Sequence, residues 1–131
     1  VARSSREKGK RGEREVAEIL RDFGFRAHRD GRLDEDVVHD VEGYHFEAKR
    51  RETLALPAWR RQAEADAGRR VPVVATRRNR EPWYADLPLE RLVRLLAIER
   101  DARALVDLIR GPSDGADLAA AVTRLDRVLD R

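Results

Sequence analysis

Asp36-Val37-Val38-His39-Asp40-Val41-Glu42-Gly43-Tyr44-His45-Phe46-Glu47-Ala48-Lys49 is the stretch on which the reading of this chain turns. Two β-prone runs flank Glu42-Gly43, a pairing that predicts a tight hairpin turn. Facing residues would then be Val41 and Tyr44, Asp40 and His45, Val38 and Glu47, and Asp36 and Lys49. Side chains alternate along a strand, and directly opposed residues share a face. One face therefore collects Asp36, Val38, Asp40, His45, Glu47 and Lys49, and the other collects Val37, His39, Val41, Tyr44, Phe46 and Ala48. The second face is largely apolar and is expected to cover the core. A slip of one residue would destroy this separation.

The polar face carries three carboxylates and a lysine. Grouped carboxylates raise one another's pKa unless a cation joins them. Oxygen donors with few histidines favour Mg²⁺, with Mn²⁺ as a substitute, over zinc. Such an ion suits phosphodiester hydrolysis, because it polarises phosphorus and lowers the pKa of a bound water. An ammonium beside it orients the attacking water or steadies the charged transition state. The chain writes Arg 25 times and Lys only at Lys8, Lys10 and Lys49, so the lysine on this face stands out. His28, His39 and His45 lack metal-type spacing and read as structural residues, with His45 alone sharing the acidic face.

Outward from the hairpin, Val16, Ile19, Leu20 and Phe23 recur at helical spacing and predict a helix over 12–23, stopped by Gly24. Glu13 lies at the edge of that stripe, where helix meets sheet. A short strand is expected over 25–29 and a polar loop over 30–35. Pro57 opens a second helix that Gly68 closes. Val71 to Thr76 reads as a buried strand, 77–82 as a basic turn, and 83–86 as a further strand. Helices are expected from Pro88 to Arg110 and from beyond Gly115 to the end. The order implies an α/β domain with a mixed sheet flanked by helices.

Charged residues make up 40% of the 131-residue chain, against roughly 25% in an average globular protein. Residues 1–14 carry a net +4, 15–48 a net −6, 49–80 a net +7 and 81–131 a net −2. Basic blocks around an acidic one suit a polyanion with bound cations. There is no cysteine, which excludes disulfides and thiolate metal sites. No apolar run approaches the roughly 18 residues of a membrane span, and the N-terminus is charged, so a soluble cytoplasmic protein is expected.

Lys8-Gly9-Lys10-Arg11-Gly12-Glu13-Arg14-Glu15, then Asp36-Val37-Val38, then Glu47-Ala48-Lys49, resembles the PD-(D/E)XK nuclease superfamily. More narrowly it is similar to the Holliday junction resolvases of archaea and bacteriophages. The resemblance covers about residues 8–87. It implies a restriction-endonuclease-like core, set here at 12–96; residues 1–11 read from their polar, basic composition as an N-terminal arm, and 97–131, outside the resemblance, as a C-terminal helical extension of the same domain. It implies that Glu13, Asp36 and Glu47 are metal-site carboxylates, that the Ala48 carbonyl also ligates, and that Lys49 is catalytic. Glu35 stands where the family has a proline, which makes Asp40 a rival to Asp36, and the 30–35 loop lacks the serine of archaeal-type resolvases. Asp36 is preferred because it lies at the end of the hairpin far from the turn, near Glu13. Gln62 matches a glutamine of many relatives. With Lys8, Lys10, Arg11, Arg50, Arg51, Arg77, Arg78 and Arg80 it is expected to contact DNA, while Trp83 and Tyr84 are expected in the core or an interface, with base stacking as the alternative. The implied activity is Mg²⁺-dependent endonuclease cleavage of four-way DNA junctions by a homodimer. The alternatives are a nuclease of the same fold acting on other DNA in repair, replication or restriction, and a non-catalytic DNA-binding module.

Overall fold

The computed structural model describes residues 2–31 and 37–130. Its elements are α1 (Ala2–Asp22), β1 (Ala27–His28), β2 (Val38–His39), β3 (Tyr44–Arg50), α2 (Leu56–Ala67), β4 (Val71–Arg77), β5 (Tyr84–Asp86), α3 (Leu89–Arg110) and α4 (Gly115–Leu129). The chain is α/β, with a mixed three-stranded sheet in the order β3-β4-β5 and an antiparallel β1-β2 pair. It divides into two compact units, Val1–Leu87 and Pro88–Arg131. The division precedes the expected 96/97 boundary, because α3 is one continuous helix across it. Among the described residues no helix is long and apolar enough to cross a membrane.

In the first unit, α1 begins at Ala2, so the basic stretch expected to be an arm forms its opening turns. The Arg, Lys and Glu of that stretch are good helix formers, which offsets Gly9. The helix ends where glycine allows it to: Gly24 has φ +90°, Phe25 N–H donates to the Leu20 carbonyl and Gly24 N–H to the Arg21 carbonyl. These two bonds satisfy the last carbonyls in a Schellman arrangement. The buried face is rotated from the expected one. Val16, Ala17 and Leu20 pack into the core with Ala27, Val37, Phe46, Ala48, Ala75 and Trp83, whereas Ile19 is partly exposed and Phe23 is 80% exposed. Gly12 sets this rotation. A Cβ there would lie 3.1 Å from the Arg50 Cβ and 3.3 Å from the Trp83 ring, so a larger residue would push these neighbours by a few tenths of an ångström where the helix presses its 12/16/20 line against β3.

The expected hairpin does not form. Among the described residues β2 pairs with β1 (Ala27 opposite His39, His28 opposite Val38), and β3 pairs in parallel with β4, from Tyr44 opposite Val71 to Arg50 opposite Arg77. Gly43, at φ +79°, gives its carbonyl to the Val71 N–H at 2.8 Å, which starts the parallel ladder. A parallel pair gives β3 seven partners, and α2 is the crossover that such a pair requires. The facing pair Val38–Glu47 is therefore not formed, and the pair Asp36–Lys49 lies outside the described residues. Alternation within β3 nevertheless holds: Phe46 and Ala48 face α1, and His45, Glu47 and Lys49 face away from it.

Glu15 fastens α1 to the sheet. Its carboxylate accepts from Arg77 Nη1 at 2.8 Å, Trp83 Nε1 at 3.0 Å and Arg50 Nη1 at 3.4 Å. On the other side of the sheet, Arg60 of α2 donates twice to Asp86 of β5 at 2.7 and 2.6 Å. The Arg60 guanidinium holds the Asp86 carboxyl below its ordinary pKa. In the second unit α3 and α4 pack antiparallel. Arg94 donates to the Val128 carbonyl at 3.3 Å and to that of Leu129, and Asp114 caps α4 by accepting from Asp117 N–H at 2.8 Å.

Glu15→Ala should lower unfolding free energy by about 2 kcal/mol, since three donors lose a charged acceptor. Arg14→Ala, on the exposed side of α1, should change it little, and urea titration of both variants checks the contrast. A carboxyl with a lowered folded pKa contributes stability above its ordinary value of 3.8, and that contribution is lost as pH falls through the lowered value. Asp86→Asn should flatten this acid limb by under about 1 kcal/mol, as befits a partly exposed pair, read from melting temperatures between pH 5 and about pH 2.

Candidate active site

The polar face of β3 is not open to solvent. α2 lies over it, and the small residues Ala63 and Ala67 are both buried, which lets the helix approach closely. His45 and Glu47 are only 1% and 2% exposed. Glu47 Oε1 stands 2.9 Å from Lys49 Nζ, and Glu47 Oε2 stands 3.5 Å from His45 Nε2. Lys49 Nζ also donates to Gln62 Oε1 on α2 at 3.1 Å. One helical turn later, Asp66 brings a carboxylate oxygen to the same place. Donor atoms of His45, Glu47 and Asp66 all lie within 4.8 Å of one another. Neither ring nitrogen of His45 makes a hydrogen bond among the described residues.

Of the residues expected at the site, Glu47, Lys49 and Gln62 are brought together. Lys49 donates to Gln62 within the protein, so the glutamine holds the lysine in place. Glu13, at the junction of α1 with the sheet, is ion-paired with the Arg29 Nε beyond β1. Asp36 lies outside the described residues. Asp40, its rival, is tied to β1: its Oδ1 accepts from Arg26 N–H at 2.8 Å and its own N–H donates to the Arg26 carbonyl at 3.1 Å. The Ala48 carbonyl has a place consistent with ligation. Val71 N–H bonds the Gly43 carbonyl and Arg51 N–H bonds the Arg77 carbonyl, which turns the odd-numbered peptide groups of β3 toward β4. The even-numbered carbonyls, Ala48 included, face the other edge.

The basic residues also separate. Arg50 and Arg77 are held by Glu15, and Arg77 Nε further donates to the Glu81 carbonyl at 2.8 Å, so both have partners within the fold. Lys10 and Arg11 on α1, Arg51 after β3, and Arg78 and Arg80 in the β4–β5 turn are exposed, and Lys8 is half-buried. Arg80 sits at φ +63°, a left-handed conformation unusual for arginine. Asp66 was not legible as a site residue, although its position four residues after Gln62 places both on one helical face.

No family model, curated protein or solved structure matches this chain.

A buried carboxylate beside an ammonium is coupled to it, because removing the cation leaves an uncompensated charge. Lys49→Met alone should cost about 3 kcal/mol. The double change Glu47→Gln with Lys49→Met should cost less than the sum of the singles, with a coupling energy of about 1–3 kcal/mol in a denaturation double-mutant cycle. Additive losses would show that the two side chains do not depend on each other.

Proposed function

We propose that this chain is a Mg²⁺-dependent endodeoxyribonuclease with a restriction-endonuclease-like core, acting on branched DNA, with the four-way junction as its leading substrate. One observation carries the reading: the Glu47-Ala48-Lys49 strand end holds a buried carboxylate 2.9 Å from an ammonium that a helix residue, Gln62, also grips. This is costly to bury, and its residues are those that the PD-(D/E)XK resemblance singles out.

The donor set fits a hard dication. Glu47 supplies a carboxylate and Ala48 a carbonyl on the strand edge, and Asp36 completes the set in this reading. Mg²⁺ held there would polarise the phosphodiester and lower the pKa of a water. The chain's own part is positioning. An ammonium has three N–H donors; Gln62 accepts one of those on Lys49, and the Glu47 carboxylate holds the ammonium as an ion pair. The remaining donors are left to orient a water or a phosphate oxygen. Exposed Lys10, Arg11, Arg78 and Arg80 supply phosphate contacts. Paired cuts across a two-fold junction call for a homodimer, and the exposed aliphatic residues Leu89, Leu92, Val93 and Leu96 offer it a surface.

The Glu13–Arg29 ion pair favours a second reading, a DNA-binding module that does not cut, because it neutralises one of the carboxylates on which cleavage would draw. One assay separates the two. With Mg²⁺, the wild-type chain should cleave a labelled four-way junction faster than a linear duplex of matched sequence, and EDTA should stop it. Glu47→Gln and Lys49→Met, confirmed folded by circular dichroism, should each lose roughly 100-fold or more in rate while still retarding the junction in a gel. Binding without cleavage by the wild type in either Mg²⁺ or Mn²⁺ would establish the module instead.

A further inference from the structure

We propose that His45, Glu47 and Asp66 form a separate site for a first-row transition dication, on the α2 side of β3. The site shares Glu47 with the nuclease reading but uses none of that reading's other ligands, and it stands if that reading fails. Three donors from two elements converge within 4.8 Å. The observation that points to a ligand is His45. It is 1% exposed and sits beside the cluster, and neither ring nitrogen has a hydrogen-bond partner among the described residues. A buried polar group without a partner costs about 1–3 kcal/mol, and a metal at one ring nitrogen removes that cost.

Distances and charge agree. Tetrahedral ligands at zinc-like bond lengths lie about 3.3 Å apart. His45 Nε2 and Glu47 Oε2 are 3.5 Å apart, so a small side-chain rotation brings them to that edge. The two oxygens of Glu47 divide the work, since Oε1 faces Lys49 and Oε2 faces His45. An imidazole and two carboxylates balance a dication. Three protein ligands leave a position for water, and exposed Asp66 gives the ion a way in. The imidazole selects the ion: nitrogen ligation suits Zn²⁺ and, less tightly, Mn²⁺, but not Mg²⁺. The fold prepares the site as well. Ala63 and Ala67 bring α2 close, and Gln62 and Asp66 project from one helical face, the first to Lys49 and the second to His45.

The test is calorimetric titration of the whole chain with Zn²⁺, Mn²⁺ and Mg²⁺, paired with long-range ¹H–¹⁵N spectra of the three imidazoles. One Zn²⁺ should bind per chain, more tightly than Mn²⁺, with Mg²⁺ failing to compete. The His45 ring nitrogens should shift while those of His28 and His39 stay in place. Asp66→Asn, a change on the exposed side of α2, should keep the fold and weaken Zn²⁺ by at least about tenfold. Glu64→Gln, on the same helix, should leave it unchanged. Unaltered Zn²⁺ affinity in Asp66→Asn, or shifts at His28 or His39 in place of His45, would overturn the site. A chain that cuts DNA with Mg²⁺ but behaves in that way loses only this site. A chain that binds Zn²⁺ at His45 and cuts nothing loses only the nuclease reading.

Discussion

A carboxylate with almost no access to water has to be compensated by its neighbours, and Glu47 is such a carboxylate. Much of the first unit follows from where that compensation comes. β3 is buried on both faces, as parallel strands usually are, yet its sequence is apolar on one face only. The apolar face rests on α1. The polar face is closed by α2, whose two buried alanines allow Gln62 and Asp66 to come close enough to complete the polar set. The chemistry and the packing of this strand therefore share one constraint: α2 must sit at a fixed height above it.

Alternation in Tyr44–Arg50 was legible because it is a local property of a single strand, and so was the placement of Glu47 and Lys49 together. Helix ends at Gly24 and Gly68 were legible for the same reason, since positive φ at a stop is written in one residue. Strand partnership was not. Glu42-Gly43 between two short β-prone runs is a local hairpin signal. The partner that β3 takes lies 27 residues further on, from Tyr44 to Val71, and only the closing of the crossover by α2 selects it. Asp66 was hidden for a related reason: a helical aspartate becomes a site residue only when the helix is placed over a particular strand.

The charge blocks were legible as blocks but not as roles. Arg50 and Arg77 belong to basic runs that suggest a polyanion surface, and both turn inward to Glu15. One acidic residue thus absorbs two arginines and an indole from three places in the sequence. In a chain where arginine is abundant, most positive charge near a carboxylate is already committed, and a binding surface has to be drawn from what remains exposed. The same reasoning applies to Glu13, whose partner Arg29 lies within the acidic block.

Two glycines three residues apart in α1 illustrate how unequal identical residues become once a helix has docked. A methyl group at Gly9 would meet nothing within 4 Å, while one at Gly12 would press on Arg50 and Trp83. The first is a weakness in the helix, and alanine there would be expected to strengthen it by up to about 1 kcal/mol. The second is a spacer made of missing atoms. It sets how near the helix carrying Glu13 can come to the strand carrying Glu47, and divergence of this chain would leave position 9 free to drift while holding position 12 still.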